Sequence, residues 1–184
     1  MISQTAVNDP ATPELDALDL HALIAQLAIP AEQELSFTET RQSGLLTAPL
    51  EVRGLLHRDV NGRLIRETHA PRRETQILAA DYVEIRNERG HRQRFSLHRA
   101  PELGALRQAL NAILEGDPET LLEHFHSELN DHGDRWTLSL QPRAEGLSSR
   151  VVSLELEGSG HLLQGLQMTL DDGEVIQTRF DSAP

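Results

Sequence analysis

Apolar positions first fall into register in "TPELDALDLHALIAQLA", where Leu15, Leu18, Leu23, Ile24 and Leu27 recur at near-helical spacing behind Thr12 and Pro13. Thr12 suits a cap and Pro13 the first helical position, where the missing N–H would have had no partner. From 35 to about 98 the period shortens to two, in "LSFTETRQS", "LEVRGLLHR", "RLIRETH", "ETQILAA", "DYVEIRN" and "HRQRFSLH". Asn61-Gly62 predicts a two-residue hairpin turn between two of these strands, and Arg89-Gly90 a further hairpin. Helical spacing returns in "PELGALRQALNAILEG", with Leu103, Leu106, Leu110, Ile113 and Leu114 on one stripe closed by Gly116. A second helix starts at Asp117-Pro118 and carries Leu121, Leu122, Phe125 and Leu129. Strands resume with "RWTLSLQP", "RVVSLELEG", "HLLQGLQMTL" and "EVIQTRF", the last two joined through Asp171-Asp172-Gly173.

Short connections argue for antiparallel pairing, because parallel neighbours need a crossover of a dozen residues or more. About ten strands at ~4.8 Å make a sheet nearly 50 Å wide, whereas three helices of ~10 Å cover roughly 30 Å. Such a sheet must curl or split. Several strands alternate, as in Arg135, Thr137 and Ser139 against Trp136, Leu138 and Leu140, so one face is wet and the other apolar. The expected fold is therefore mainly β (α+β): an unclosed antiparallel half-barrel of about ten strands under a lid of about three helices, with an apolar cavity between them. The alternative is two sheets packed as a sandwich with the helices outside. Residues 1–13 read as a flexible polar lead and 14–184 as a single domain.

Composition narrows the function classes. All 17 cationic residues are Arg, which carries no functional weight here; with 29 acidic residues the net charge is −12, which opposes unspecific binding to nucleic acid, and no nucleic-acid partner is expected. With no Cys there is no disulfide, thiolate nucleophile or Cys-ligated metal. "MISQTAVNDPATPE" has neither a basic nor an apolar leader region, so as written the chain shows no export signal, which is also how a chain with its signal peptide removed would read.

The order of elements and several local strings resemble the LolA-like periplasmic outer-membrane lipoprotein carrier family. Phe37-Thr38-Glu39-Thr40 is similar to the family's Phe-Thr-Gln-Thr, Gly54-Leu55-Leu56 to its Gly-x-Leu strand and Pro71 to the proline closing the next strand. Ile77-Leu78-Ala79-Ala80-Asp81, Trp136-Thr137-Leu138 through Pro142, and "MTLDDGEVIQTRF" follow in the family's order. The resemblance implies a periplasmic carrier that takes the acyl chains of a lipoprotein or other lipid toward the outer membrane. It also implies an inner-membrane donor, an outer-membrane acceptor and a removed signal peptide. Two departures stand out: the family's lid-latching arginine precedes a proline, whereas here the region reads Arg58-Asp59-Val60-Asn61-Gly62-Arg63. The family's extra C-terminal segment is also absent from a chain ending "RFDSAP".

The cavity lining expected on this reading comprises Leu35, Phe37, Arg41, Phe95, Leu97, Leu106, Leu110, Leu122, Phe125, Trp136 and Leu138. Arg41 shares strand parity with Leu35 and Phe37, so it leans toward the apolar interior. It could bond carbonyls of the helical lid or meet a lipid head group; the plain alternative is an arginine turned to solvent. His124 and His126, two apart on the expected helix, face opposite ways and cannot share a metal. No metal, cofactor or catalytic residue is expected, since there is no Gly-x-Ser-x-Gly elbow and "GSG" at 158–160 reads as a hairpin. A monomer that is not an enzyme is the resulting expectation. A small hydrolase or isomerase acting on an apolar substrate, and an envelope interaction module bound through its sheet edge, remain the other readings.

Overall fold

The computed structural model describes residues 19–143 and 150–181. Helix α1 (Leu20–Gln26) precedes strands β1 (Leu35–Gln42), β2 (Leu50–Arg58), β3 (Leu64–Ala70), β4 (Glu74–Leu78), β5 (Tyr82–Asn87) and β6 (Arg92–Ser96). A 3-10 turn at Leu97–Arg99 leads into α2 (Pro101–Glu115) and α3 (Pro118–His124). Strands β7 (Phe125–Asp131), β8 (Arg135–Pro142), β9 (Val151–Ser159), β10 (Leu162–Leu170) and β11 (Val175–Phe180) follow. The polar lead and Thr12, Pro13, Leu15 and Leu18 of the expected first helix lie outside the described residues. Within them Asp19 caps α1, its carboxylate accepting from His21 N at 3.4 Å.

All strands join one antiparallel sheet in the order β6-β5-β4-β3-β2-β1-β11-β10-β9-β8-β7. The chain meanders out to β6, crosses the inner face through α2 and α3, and re-enters at the opposite edge, β7. The edges β6 and β7 do not pair with each other, so the sheet is an unclosed half-barrel with a helical lid. The sandwich alternative is overturned, because there is one sheet and the helices cover its apolar face. Leu23 and Ile24 of α1, Ile113 of α2, Leu121 of α3, and Val83, Leu138 and Leu154 of the sheet share one buried core.

The sheet has eleven strands because "FHSELND", expected as helix, is β7. Leu121, Phe125 and Leu129 fit a helical stripe, but Phe125, Ser127 and Leu129 also alternate as a strand does. Pairing decides: Phe125 is extended (φ −132°, ψ 145°) and lies opposite Pro142, and Leu129 lies opposite Leu138. His124 and His126 therefore do not share a helix: α3 ends at His124, and His126 is an exposed strand residue. Asn61-Gly62 does turn the chain, but inside the longer link 59–63. There Asp59 Oδ1 accepts from the backbone N–H of both Asn61 and Arg63 at 2.9 Å, and Gly62 takes the left-handed φ of 73°. Leu97, expected on a strand, sits in the 3-10 turn, whose N-cap Ser96 accepts from His98 N.

The lid is fixed at one end. Gly116, at φ 69°, caps α2 by donating to Ala112 and Ile113, and Asp117 then caps α3 by accepting from Thr120 N at 3.1 Å. Ile29 N donates to Leu114 O at 2.9 Å, tying the segment after α1 to the same end of α2.

Candidate functional site

The inner face of β1 carries Leu35, Phe37, Glu39 and Arg41, and burial lessens toward Arg41. Across the ladder Phe37 faces Phe180, Glu39 faces Thr178 and Arg41 faces Ile176 of β11. On β3 the same alternation turns Leu64, Arg66 and Thr68 inward. Between this surface and α2 lies a cavity of about 290 Å³. Its apolar wall is Leu56, Leu64, Leu78, Leu166, Met168, Leu170 and Ile176 from the sheet, with Leu103 and Leu106 from α2; its polar groups are Glu39, Arg41, Arg66, Gln76, Thr178, Glu102, Arg150 and Glu174. A small void of about 20 Å³ continues it toward Phe37, Leu110 and Phe180. A larger cleft of about 420 Å³ exists over β3–β5, but Glu67, Thr68, His69, Arg73, Glu74, Thr75, Arg86, Asn87 and Glu88 line it, which unsuits it to an alkyl chain.

A compact charge cluster sits in the cavity wall. Glu39, 5% exposed, places Oε2 2.9 Å from Arg66 Nη2, and its Oε1 accepts from Arg41 Nε at 2.8 Å. The Arg66 guanidinium also lies over the Phe37 ring, 4.7 Å from its centroid. Burial pushes Arg66 below its ordinary value; the Glu39 carboxylate opposes that shift and the neighbouring Arg41 charge adds to it. At the rim, Arg150 lies 3.9 Å from Glu102 of α2, 3.9 Å from Asp171 and 3.3 Å from Asp172.

The other end of α2 is held to the β2–β3 hairpin. Asn111 Nδ2 donates to Gly62 O at 2.9 Å, and Arg58 Nη1 lies 3.4 Å from Glu115 Oε1. Arg41, considered above for bonding the lid, instead directs Nε to Glu39 on its own strand; the arginines that meet α2 are Arg58, at Glu115, and Arg150, at Glu102.

Of the eleven residues expected to line the cavity, Arg41 and Leu106 border it and Phe37 and Leu110 border the adjoining void. Leu35, Leu97, Phe125, Trp136 and Leu138 are packed in the core, Phe95 rests against it partly buried, and Leu122 is half-buried on α3. Arg66 and the β10–β11 wall are not among the residues expected from the sequence. The parity that turned Arg41 inward applies equally to Leu64-Arg66-Thr68. Among the described residues no three His, Asp or Glu are grouped to hold a metal ion, and no helix is long and apolar enough to cross a membrane.

Among solved structures the chain is similar to a LolA superfamily protein of Nitrosomonas europaea (10% identity, covering 90% of this chain and 93% of that one, TM-score 0.45). It is also similar to a DUF1329 family protein of Desulfovibrio piger (8%, 88% and 90%, TM-score 0.46) and to LprF of Mycobacterium bovis (11%, 89% and 93%, TM-score 0.40). No curated protein matches the sequence significantly. The family model described as "Outer membrane lipoprotein carrier protein LolA-like" matches residues 11–183, and over that span the chain belongs to the LolA-like family.

Proposed function

We propose that the protein is a non-enzymatic carrier of the periplasm that binds the acyl chains of a lipoprotein or other lipid between the half-barrel and α2, for transfer toward the outer membrane. The observation that supports this most is the cavity itself: about 290 Å³, walled by nine aliphatic or Met side chains and bordered by a helix that belongs to the lid. Each CH₂ buried there contributes ~0.8 kcal/mol, so a chain of eight carbons already gains roughly 6 kcal/mol. At ~30 Å³ for a water-sized group, a volume of about 290 Å³ takes on the order of ten such groups, fewer than the carbons of a long acyl chain. In this reading the lid lifts to admit a long chain.

The anchoring of α2 indicates which end lifts. Its C-terminal end is held by Asn111, Glu115, the Ile29–Leu114 bond and the turn into α3. Its N-terminal half lies over the cavity, where Glu102 reaches Arg150 at 3.9 Å, the outer limit for an ion pair. Entry by lifting the N-terminal half of α2 breaks the fewest bonds.

Native mass spectrometry of protein purified from a bacterial envelope tests the reading. Co-purifying acyl species that leave on mild activation support it. Recovery of ligand-free protein that also fails to take up added alkyl probes contradicts it.

A further inference from the structure

In the cavity wall two guanidinium groups, Arg41 and Arg66, pair directly with one carboxylate, Glu39, while the Glu74 charge also acts on Arg66. Arg66 is 7% exposed and Glu39 5%, whereas the Arg41 side chain is 36% exposed. The pairing is also incomplete. Arg41 commits only Nε to Glu39 and makes no other hydrogen bond among the described residues. Arg66 Nη2 stands 2.9 Å from Glu39 Oε2 in an ion pair. Among the described residues no other carboxylate is in ion-pair contact with Arg41 or Arg66. Glu102 pairs with Arg150, which also faces Asp171 and Asp172, and Glu174 lies at the β10–β11 turn by the rim. Gln76 directs its amide to Glu74 Oε1.

We infer that the cavity takes an amphiphile whose single alkyl chain ends in an anionic head, a carboxylate or a phosphate, bound by Arg66 and Arg41 beside Glu39. This inference rests on the carrier reading and adds the polarity of the cargo. Aliphatic wall on both sides of the cluster, Leu56, Leu64 and Leu78 toward one strand group and Leu166, Met168 and Ile176 toward the other, leaves the chain in contact with carbon while the head reaches nitrogen. The Phe37 ring covers one face of the Arg66 guanidinium, so the head group approaches its edge, where a carboxylate or phosphate matches the fork of N–H donors. The protein's net charge of −12 does not defeat this, because surface charges are screened over ~8 Å at physiological ionic strength whereas the two arginines are in contact with the ligand. Burial lowers the Arg66 pKa and an anionic ligand would relieve that shift.

The test compares myristate with its methyl ester, and lysophosphatidic acid with lysophosphatidylcholine of the same chain, by isothermal titration at neutral pH below their critical micelle concentrations. The inference predicts at least a tenfold preference for the anion in one or both pairs; the tighter anion tells whether a free carboxylate or a lipid phosphate is the natural head. Glu39→Gln, which removes the competing carboxylate, should tighten the anion at least fivefold and leave the neutral ligands unchanged. Arg41→Gln should reduce the preference, and Arg53→Gln, in the exposed pair with Glu51, should not. Equal binding of charged and neutral partners in the wild type overturns the head-group inference and leaves the carrier reading standing. If no ligand of either charge binds, both fall. A Glu39→Gln protein that stays folded yet binds the anion no better assigns the cluster to structure alone and also overturns the inference.

Discussion

Asn111 on α2 donates its side-chain amide to the carbonyl of Gly62 at 2.9 Å, joining the lid to the β2–β3 hairpin across forty-nine positions of sequence. Asn111 is 8% exposed, so this bond forms out of water. Replacing it by Ala leaves a carbonyl without its donor and should cost about 1–2 kcal/mol, read as a lower urea midpoint with unchanged slope. An unchanged midpoint would remove this contact from the account of how the lid is held.

At the opposite end of α2 the effect should be kinetic. Arg150→Ala breaks the 3.9 Å approach to Glu102 and the ion pairs with Asp171 and Asp172, all partly exposed, so its stability cost should stay below about 1 kcal/mol. Stopped-flow release of a bound alkyl fluorophore should nevertheless quicken severalfold, whereas Asn111→Ala should affect stability more than release. The reverse pattern would mean that the lid lifts from its other end.

Gly116 closes α2 at φ 69°, and a Cβ there would sit 2.9 Å from the Ala28 methyl. Gly116→Ala should destabilise the protein by about 1–2 kcal/mol from the left-handed backbone, with further loss from crowding α1's exit. Thermal unfolding of this variant beside Gly90→Ala, which has the same sign of φ but open space around it, separates the two contributions.

Acid should unfold the protein through carboxylates held below their ordinary values. Hydrogen bonds from Arg94 and Arg86 lower Glu84 from 4.5, and Thr120, through its hydroxyl and backbone N–H, lowers Asp117 from 3.8. At Asp59 burial pushes upward, but hydrogen bonds from Arg63 and Asn61 prevail and the net shift from 3.8 is downward. A depressed carboxyl stabilises the fold above its unfolded value and loses that contribution as pH falls through its folded one. Urea midpoints should therefore be insensitive to these groups from neutral pH down to about 5, then fall. Asp59→Asn should flatten part of the fall; an unaltered profile would contradict the assignment.

Much of the fold was legible because each strand carries its own alternation and each turn its own chemistry: Gly173 at φ 83° and Gly90 at φ 78° lie where turn residues placed hairpins. The error at β7 arose where two periods coincide, since Phe125 and Leu129 satisfy both and only the ladder to β8 chooses. The site was less legible. Parity turned Arg41 inward, but its partner depended on Glu39 lying beside it on the same face. The meeting of Glu39 with Arg66 depends on β1, β2 and β3 being neighbours in register. Likewise, the β10–β11 wall follows from β11 pairing with β1, a contact between the two ends of the chain that local pattern does not encode.

The central claim, that alkyl chain occupies the space between the inner sheet and α2, is tested most directly by filling that space. Met168 and Leu166 border the cavity on β10, and Leu166→Trp adds ring volume into it. Titration of a fluorescent fatty acid into wild-type and Leu166→Trp protein, with both confirmed folded by circular dichroism, should show saturable binding to the first and at least tenfold weaker binding to the second. Equal binding to the two folded proteins would place the ligand elsewhere and contradict the account.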